Sequence, residues 1–228
     1  MLFDGIFGKG FPMPTLSKTL LFFLSTAVLC LSEAGAQDKV HTQQGAVHNC
    51  RIMKVDADGV WIDLGGAQSK IKRSDLTRVE IPLPPEANEA FKLHEGGQYA
   101  AAVAKLDGVM ARYEGLPQDW IERAGYTLAD CHLKMDNFAK AHEIFQLTEK
   151  HFPDSPHVST SVAGRARTAF GMKNYDEAVK LLEPLVAAKE KILGLSDAEK
   201  NDMASACLTL GECYYAQGQK PKALESFL

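Results

Sequence analysis

The sequence contains none of the short motifs that mark common catalytic or metal sites. It has no H-E-x-x-H pair for zinc, no G-x-S-x-G nucleophile turn and no phosphate-binding glycine loop. Its seven histidines are scattered, and no two of them stand four residues apart as a pair on one helix face would. We therefore expect no enzymatic activity, no metal and no cofactor.

Basic clusters and a cysteine framework are also missing. The net charge is −4 and lysine and arginine form no stripe, which argues against a nucleic-acid partner. Cys50, Cys131, Cys207 and Cys213 follow residue 36, but there is no C-x-x-C, and four thiols in a chain of this size do not make a disulfide scaffold. Cys207 and Cys213 fall on different faces of one predicted helix, so free, buried thiols are expected.

The longest apolar run lies near the N-terminus. Residues 19–32 form a run of 14 after Lys18, which is shorter than the roughly 20 residues of a membrane span. The small-residue site 34–36 follows. We predict a signal peptide over 1–36, with Met13 as an alternative start. Export to the periplasm or the outside of the cell, with no stable membrane span after cleavage, follows from this prediction.

Residues 37–81 have the pattern of a small β module. Strands are predicted over 46–55, from Val60 to Leu64, around Ile71 and over 78–81, with a short helical turn at 74–76. Asp58-Gly59 indicates a hairpin turn, and Val60 and Ile62 alternate with Trp61. The turn spacing loosely resembles SH3-like modules of exported bacterial proteins. Trp61 is a candidate contact residue, or it packs on the neighbouring domain. Prolines in 82–85 then predict a stiff linker.

From residue 86 onward the chain repeats itself. A Gly or Asn comes before an aromatic residue, and an alanine stands three positions after the aromatic. The copies are 97–102, 136–141, 173–178 and 218–223, with Lys220 replacing the aromatic in the last. Their alanines, at 102, 141, 178 and 223, predict close crossings between paired helices. The sequence therefore predicts about four helical hairpins, over 86–117, 118–154, 155–194 and 195–228.

These residues resemble the tetratricopeptide repeat (TPR). Leu210-Gly211-x-x-Tyr214 with Ala223-x-x-x-Phe227, and Ala141-x-x-x-Phe145 with Pro153, match its pattern. The spacings of 39, 37 and 45 residues exceed the roughly 34 of the family. The fold expected is mainly α, a TPR-like solenoid after a small β-barrel-like module.

Local signals place the helix ends. Asp119 and Ser196, each with Glu three residues later, are spaced as capping boxes, and Ser155-Pro156 is typical of a helix start. Gly115 and Gly194 indicate helix ends, and Pro184 lies inside a predicted helix. Trp120 is expected just before its helix.

The resemblance implies a scaffold or adaptor that binds proteins or peptides on a concave face formed by the first helix of each hairpin. Two alternatives remain: a self-associating structural subunit of a cell-envelope assembly, and an accessory domain of an enzyme or sugar-binding system. Leu224, Phe227 and Leu228 would be exposed on the last hairpin, so either the chain continues or this end docks on another copy or partner.

Projecting the register of the four alanines onto the TPR pattern gives ten groove positions. The aromatic ones could instead pack between hairpins. Tyr126, Asp130 and Arg167 are predicted to be partly exposed together, whereas the neighbouring Arg165 is predicted to lie on a solvated helix face. The ten positions are Phe91, His94, Arg123, Tyr126, Asp130, Lys134, Arg167, Phe170, Glu212 and Tyr215.

Overall fold

In a computed structural model, the described residues are 37–155, 157–189 and 196–228. The predicted signal peptide over 1–36, the alternative start at Met13, Pro156 and Gly194 lie outside them. All of the described residues belong to one compact unit, 37–228.

Five antiparallel strands come first, in the spatial order β4-β3-β2-β1-β5. Their bounds are β1 Asp38–Thr42, β2 Val47–Asp56, β3 Gly59–Asp63, β4 Gln68–Lys72 and β5 Leu76–Glu80. A single 3-10 turn, Arg73–Asp75, connects β4 to β5, and β5 returns to pair with β1. The sequence predicted four of these strands and missed β1. Leu64 is exposed beyond the end of β3, although the alternation placed it beside Val60 and Ile62.

Eight helices follow within the described residues, arranged as four hairpins. They are α1 Pro85–Glu95 and α2 Tyr99–Tyr113, α3 Asp119–Lys134 and α4 Phe138–His151, α5 Val158–Gly171 and α6 Tyr175–Lys189, and α7 Asp197–Ala216 and α8 Lys220–Phe227. Pro85, the last residue of the predicted linker, starts α1, and α6 continues through Pro184. The predicted fold class, mainly helical after an antiparallel sheet, is confirmed.

The four hairpin turns share one backbone geometry. The residue two positions before each second helix has a positive φ: 72° at Gly97, 59° at Asp136, 62° at Lys173 and 75° at Gly218. The next residue then donates its N–H to a carbonyl five residues back, as Asn137 does to His132 at 2.9 Å. Such bonds satisfy carbonyls that the end of a helix leaves unpaired. The repeated motif in the sequence is therefore the signature of this turn.

Small residues let the paired helices approach closely. Ala102, Ala141, Ala178 and Ala223 are at most 2% exposed. Glycines on the first helices allow similar close contacts. An added Cβ at Gly211 would lie 2.3 Å from the Phe227 ring of the same hairpin, and one at Gly164 would lie 2.4 Å from the Phe145 ring of the preceding hairpin. The aromatic rings of the repeat thus fill the space that the missing side chains leave.

Side chains of the first two hairpins donate hydrogen bonds to backbone carbonyls at the sheet and so fix the sheet to the helices. Arg112 on α2 donates from Nε and Nη2 to the Ile52 carbonyl at 3.2 and 3.1 Å. Gln118 and Trp120, at the start of α3, donate to the carbonyls of Val79 and Ile81 at 2.7 and 2.8 Å. The sheet therefore shares a core with the helices, and one apolar cluster runs from Val40 to Phe145.

Asp38 is a buried carboxylate at the same junction. Its Oδ2 accepts the Ile52 N–H at 2.8 Å, and burial raises the pKa of this carboxyl despite the nearby charge of Arg112. Because Asp38 is acidic although it faces the core, the start of β1 reads as a polar segment in the sequence. The apolar alternation that predicts strands is therefore missing here, and the sequence pattern missed this strand.

Two helix starts, those of α3 and α5, differ from the predictions. Gln118, not Asp119, is the N-cap of α3, and no side chain caps that helix. Trp120 lies inside the first turn of α3, where its ring meets Tyr113 edge-on at 5.4 Å. The helix predicted at Ser155 starts at Val158, because the Ser155 hydroxyl accepts the His157 N–H in a separate turn.

Substituting two helical glycines tests the close crossings. Gly164→Ala should lower the free energy of unfolding by about 1–3 kcal/mol, because its Cβ would collide with Phe145. Gly108→Ala is the matched control: it is exposed on α2 with nothing near its Cβ, so it should stabilise the fold by about 0.5–1 kcal/mol. Urea denaturation measures both, and equal effects of the two substitutions would contradict the crossing geometry.

Candidate interaction surface on the first helices

The first helices of successive hairpins contact one another in the order α1, α3, α5 and α7. They form a continuous surface, called here the first-helix face, and all ten predicted groove residues lie on these helices. The structure divides these residues into three groups, which differ in exposure and in partners.

The first group joins α1 to α3. Phe91 is 4% exposed and belongs to the core, with the Arg123 guanidinium 4.1 Å from its ring centre. Arg123 also contacts the Glu95 carboxylate at 3.2 Å. His94 Nε2 lies 2.7 Å from Asp130 Oδ2, and both side chains are half-buried. Phe91 is therefore covered by Arg123 and offers no free ring to a partner.

The second group, formed by Tyr126, Arg167 and Phe170, contacts neighbouring loops and helices. Tyr126 belongs to a turn and not to the open surface. It is half-buried against the core, its hydroxyl donates to Ser155 Oγ at 3.4 Å, and its ring contacts the His157 ring edge-on at 6.0 Å. Ser155 in turn donates to the Glu122 carboxylate. Burial raises the pKa of the Tyr126 phenol. Its main role in this geometry is to hold the loop between α4 and α5.

Arg167 and Phe170 on α5 face neighbouring elements. Arg167 is half-buried and donates to Ser205 Oγ of α7 at 2.6 Å. Phe170 is half-buried and packs on Tyr175 across the hairpin turn, with ring centres 5.7 Å apart. Asp130, Tyr126 and Arg167 are thus each half-buried, but they contact three separate partners instead of forming one cluster.

The third group is open to solvent. Lys134 on α3 and Glu212 and Tyr215 on α7 are exposed, and Tyr215 is 65% exposed. Leu208, one helical turn before Glu212, is 53% exposed and was missed by the sequence analysis. Its place one turn from a predicted groove residue was the available signal. Large apolar side chains beside charged ones on α7 are typical of protein-contact surfaces.

Arg165 differs from the solvated residue that the sequence predicted. Its guanidinium lies 2.6 Å from the Glu149 carboxylate of α4, with side chains 18% and 15% exposed. Ser161 donates to the same carboxylate at 2.9 Å. The pair therefore connects the second hairpin to the third and is unavailable for binding.

Trp61 lies on the outer face of the sheet. Its indole N–H donates to Asp56 at 2.7 Å, and the ammonium groups of Lys54 and Lys70 lie 5.2 and 5.4 Å from its ring centre. Hydrogen bonds from Lys70 and Trp61 lower the pKa of Asp56. Two cations near the ring and a bound indole N–H leave Trp61 with little free surface for another molecule.

The described residues offer little reactive chemistry. They include no cluster of histidine, cysteine and acidic residues that could hold a metal. Cys50, Cys131 and Cys213 are free, buried thiols, and Cys207 is half-buried. Burial raises the pKa of Cys50, Cys131 and Cys213 to about 11, which keeps these thiols protonated and weakly nucleophilic. No helix among the described residues has both the length and the apolar character needed to cross a membrane.

Comparison with known proteins supports the repeat fold. No protein-family model and no curated protein sequence matches the chain. A structure of TPR-like repeats from a Podosopora anserina protein described as a kinesin light chain superposes with a TM-score of 0.50 at 23% identity, covering 64% of this chain and 75% of that one. A point variant of those repeats gives 0.51 at 23% identity, covering 62% and 69%. At this identity the likeness concerns the fold alone, and it shows that the fold is TPR-like.

A double-mutant cycle on Arg165 and Glu149 tests the connection between hairpins. Removing either partner leaves a half-buried charge unpaired, so Arg165→Met and Glu149→Gln should each destabilise, with a coupling energy of about 1–3 kcal/mol. The matched cycle uses Lys140 and Glu143, an exposed pair within α4 at 3.0 Å, and should couple by less than about 0.5 kcal/mol. Thermal or urea unfolding measures both cycles. Equal coupling in the two would show that the Arg165–Glu149 pair does not connect the second hairpin to the third.

Proposed function

We propose that this protein is an exported, non-catalytic scaffold that holds other proteins on its first-helix face. The observation that carries the proposal is the contiguous row of first helices, with exposed charged, aromatic and apolar side chains at α3 and α7. The TPR-like fold supports a protein partner, since solenoids of this kind present extended binding surfaces.

The open residues define how a partner would be held. Tyr215 and Leu208 supply apolar area, while Lys134 and Glu212 supply charges of both signs. Contact surfaces favour aromatic anchors surrounded by polar groups. Asp130, His94 and Arg167 are half-buried beside these open residues. Contacts with adjacent helices fix their positions, so they hold the first helices together under the first-helix face.

Export and the nature of the β module are further parts of the proposal. Export is supported by the apolar run over 19–32 and the small residues that follow it. An SH3-like module is supported by the five antiparallel strands, in which β5 returns to β1 after a 3-10 turn. Such a module would serve as the N-terminal cap of the repeats, given the core it shares with α1 and α2.

Processing of the N-terminus tests export. In the producing cell, the mature protein should begin at Gln37 or within a few residues of it, because signal peptidases cut after small-residue sites such as 34–36. N-terminal sequencing of the protein from the exported fraction gives the answer. An uncut chain recovered from membranes would instead identify a signal anchor.

Charge reversal on exposed residues tests the first-helix face. The triple variant Lys134→Glu, Glu212→Lys, Tyr215→Ala should lose most of the partner captured from the exported fraction by the immobilised protein. Because all three residues are exposed, its melting temperature should stay near that of the wild type. Tyr126→Ala is avoided, because removing that ring would also disturb the core.

The matched control is Glu143→Lys with Lys180→Glu, two exposed residues on the second helices α4 and α6, which leaves the net charge unchanged as the triple variant does. Capture should survive in the control, and loss in both variants would indicate a nonspecific charge effect. Retention in the triple variant would refute the first-helix face. Self-association is the second candidate, favoured by the exposed Leu224 and Phe227 on α8, and light scattering on the same samples separates it from partner binding.

A further inference from the structure

The two edges of the sheet differ in what covers them. At β5, side chains from the start of α3 already bond to the outward carbonyls. The other edge is β4, and among the described elements β3 alone packs along its length. Gln68, Ser69 and Lys72 on this strand are exposed. The outer side of β4, called here the β4 edge, is therefore open along the strand.

Hydrogen bonds at both ends of the β3–β4 ladder show which main-chain groups point outward. At one end the Leu64 N–H donates to the Ala67 carbonyl at 2.9 Å, and at the other the Arg73 N–H donates to the Asp58 carbonyl at 2.9 Å. Bonded and non-bonded residue pairs alternate between antiparallel strands, so every second residue of β4 directs its main chain away from β3. Counted inward from either end, these residues are Gln68, Lys70 and Lys72.

Most of these outward groups have no partner. The N–H and C=O of Gln68 and of Lys70, and the N–H of Lys72, receive no hydrogen bond from any residue that the structure describes. The Lys72 carbonyl is different, because it lies at the N-cap of the 3-10 turn and accepts the first bond of that turn. The β4 edge thus offers donors and acceptors in the spacing that an added strand needs.

The two faces of β4 ask for different side chains on an added strand. Side chains alternate along a strand, so Lys70 and Lys72 share the outer face of the sheet while Ile71 faces the core. Ile71 lies at the border of that core and keeps 9% of its surface exposed. An apolar side chain beside it would cover this remainder, whereas the outer face asks for a group that matches lysine.

The charge of β4 is positive. The strand contains two lysines and no acidic residue. Lys70 contacts Asp56 at 2.9 Å and Asp58 at 3.4 Å, so its charge is partly neutralised. Lys72 is exposed and forms no ion pair with the residues that the structure describes, so its ammonium group is available to a carboxylate.

The same lysines disfavour pairing between two copies of β4. Full overlap of two antiparallel β4 strands would place Lys70 directly opposite Lys70 of the second copy. Like charges directly opposite are destabilising, and lysine on an edge strand is one way in which proteins avoid edge-to-edge association. A strand with carboxylates at the positions facing Lys70 and Lys72 has no such repulsion and gains opposite-charge pairs. The charges therefore favour an acidic strand over a second copy of this chain.

We propose that the β4 edge binds an extended segment of a partner protein in which acidic and apolar residues alternate. The segment adds to the sheet as a sixth strand, and its main chain bonds to Gln68, Lys70 and Lys72. Its carboxylates lie beside the two lysines, and an apolar side chain covers Ile71. Main-chain pairing supplies affinity and the side chains supply specificity, as in other cases of strand addition. This site is separate from the first-helix face.

Fluorescence anisotropy with synthetic peptides tests the proposal. The probe is a fluorescein-labelled, C-terminally amidated hexapeptide of alternating glutamate and valine. Two comparison peptides replace glutamate by lysine, or carry N-methyl groups on every second amide in either phase. Saturable binding is expected for the probe. The lysine peptide, and the N-methylated peptide whose blocked amides face β4, should bind at least about tenfold more weakly.

Two matched pairs of variants locate the bound peptide. Gln68→Pro removes an outward N–H without touching a bond to β3 and should weaken binding at least about tenfold, whereas Gln68→Ala keeps that N–H and should bind as the wild type does. Lys72→Glu should weaken binding roughly tenfold, because attraction becomes repulsion. Lys180→Glu makes the same change in net charge at an exposed position on α6 and should leave binding unchanged. Circular dichroism and melting temperature check that each variant folds.

Three results would overturn the proposal: no saturable binding of the probe, binding that N-methylation in both phases leaves intact, or equal losses in Lys72→Glu and Lys180→Glu. If Gln68→Pro does not fold, the N-methylated peptides and the lysine pair decide. Light scattering that shows a dimer lost in Lys72→Glu would make a second copy the occupant. Binding lost instead in the Lys134→Glu, Glu212→Lys, Tyr215→Ala variant would move the peptide to the first-helix face, and the β4 edge would fail while the proposed scaffold function stood.

Discussion

The left-handed residue in each hairpin turn fixes where the second helix starts and which of its residues face the first. Two of these residues, Asp136 and Lys173, are not glycine, and a left-handed conformation costs such residues roughly 1–2 kcal/mol. Hydrogen bonds to the end of the first helix offset that cost in every copy. Because the turn sets the helix register, the alanine three positions into the second helix always reaches the crossing. The packing of each hairpin therefore depends on a single backbone conformation.

The repeats could be predicted because their signal is local. Turn residue, aromatic and alanine stand within six positions, so each copy is visible in the sequence without knowledge of its neighbours. Strand β1 was missed for the opposite reason: Asp38 is polar in sequence, and its burial depends on Ile52 and on a helix much later in the chain. The start of α3 was misplaced because Trp120 and Gln118 bond to the sheet instead of capping their own helix.

The candidate surface was predicted less well than the fold, and the difference follows from contacts between hairpins. The TPR register selects ten residues that all lie on the first helices, but it does not say which of them contact the next hairpin. His94 meets Asp130 and Arg167 meets Ser205 across gaps of 36 and 38 residues. From the sequence, Phe91 could be an exposed aromatic anchor for a partner, but in the structure Arg123 covers its ring. The residues that stay exposed lie on α7 and at the end of α3.

The apolar core is divided into separate clusters, and this division determines which parts of the protein can unfold separately. One cluster extends from the sheet to Phe145, whereas the buried residues of α5 to α8 form two smaller clusters. At the boundary between α4 and α5, the Phe145 ring packs on Gly164, and the Arg165–Glu149 pair adds a polar contact. Partial opening that leaves one such cluster intact exposes less apolar surface than global unfolding. Amide hydrogens of the last two hairpins would then exchange with solvent as a separate cooperative unit, while the sheet and the first two hairpins exchange only when the whole chain unfolds.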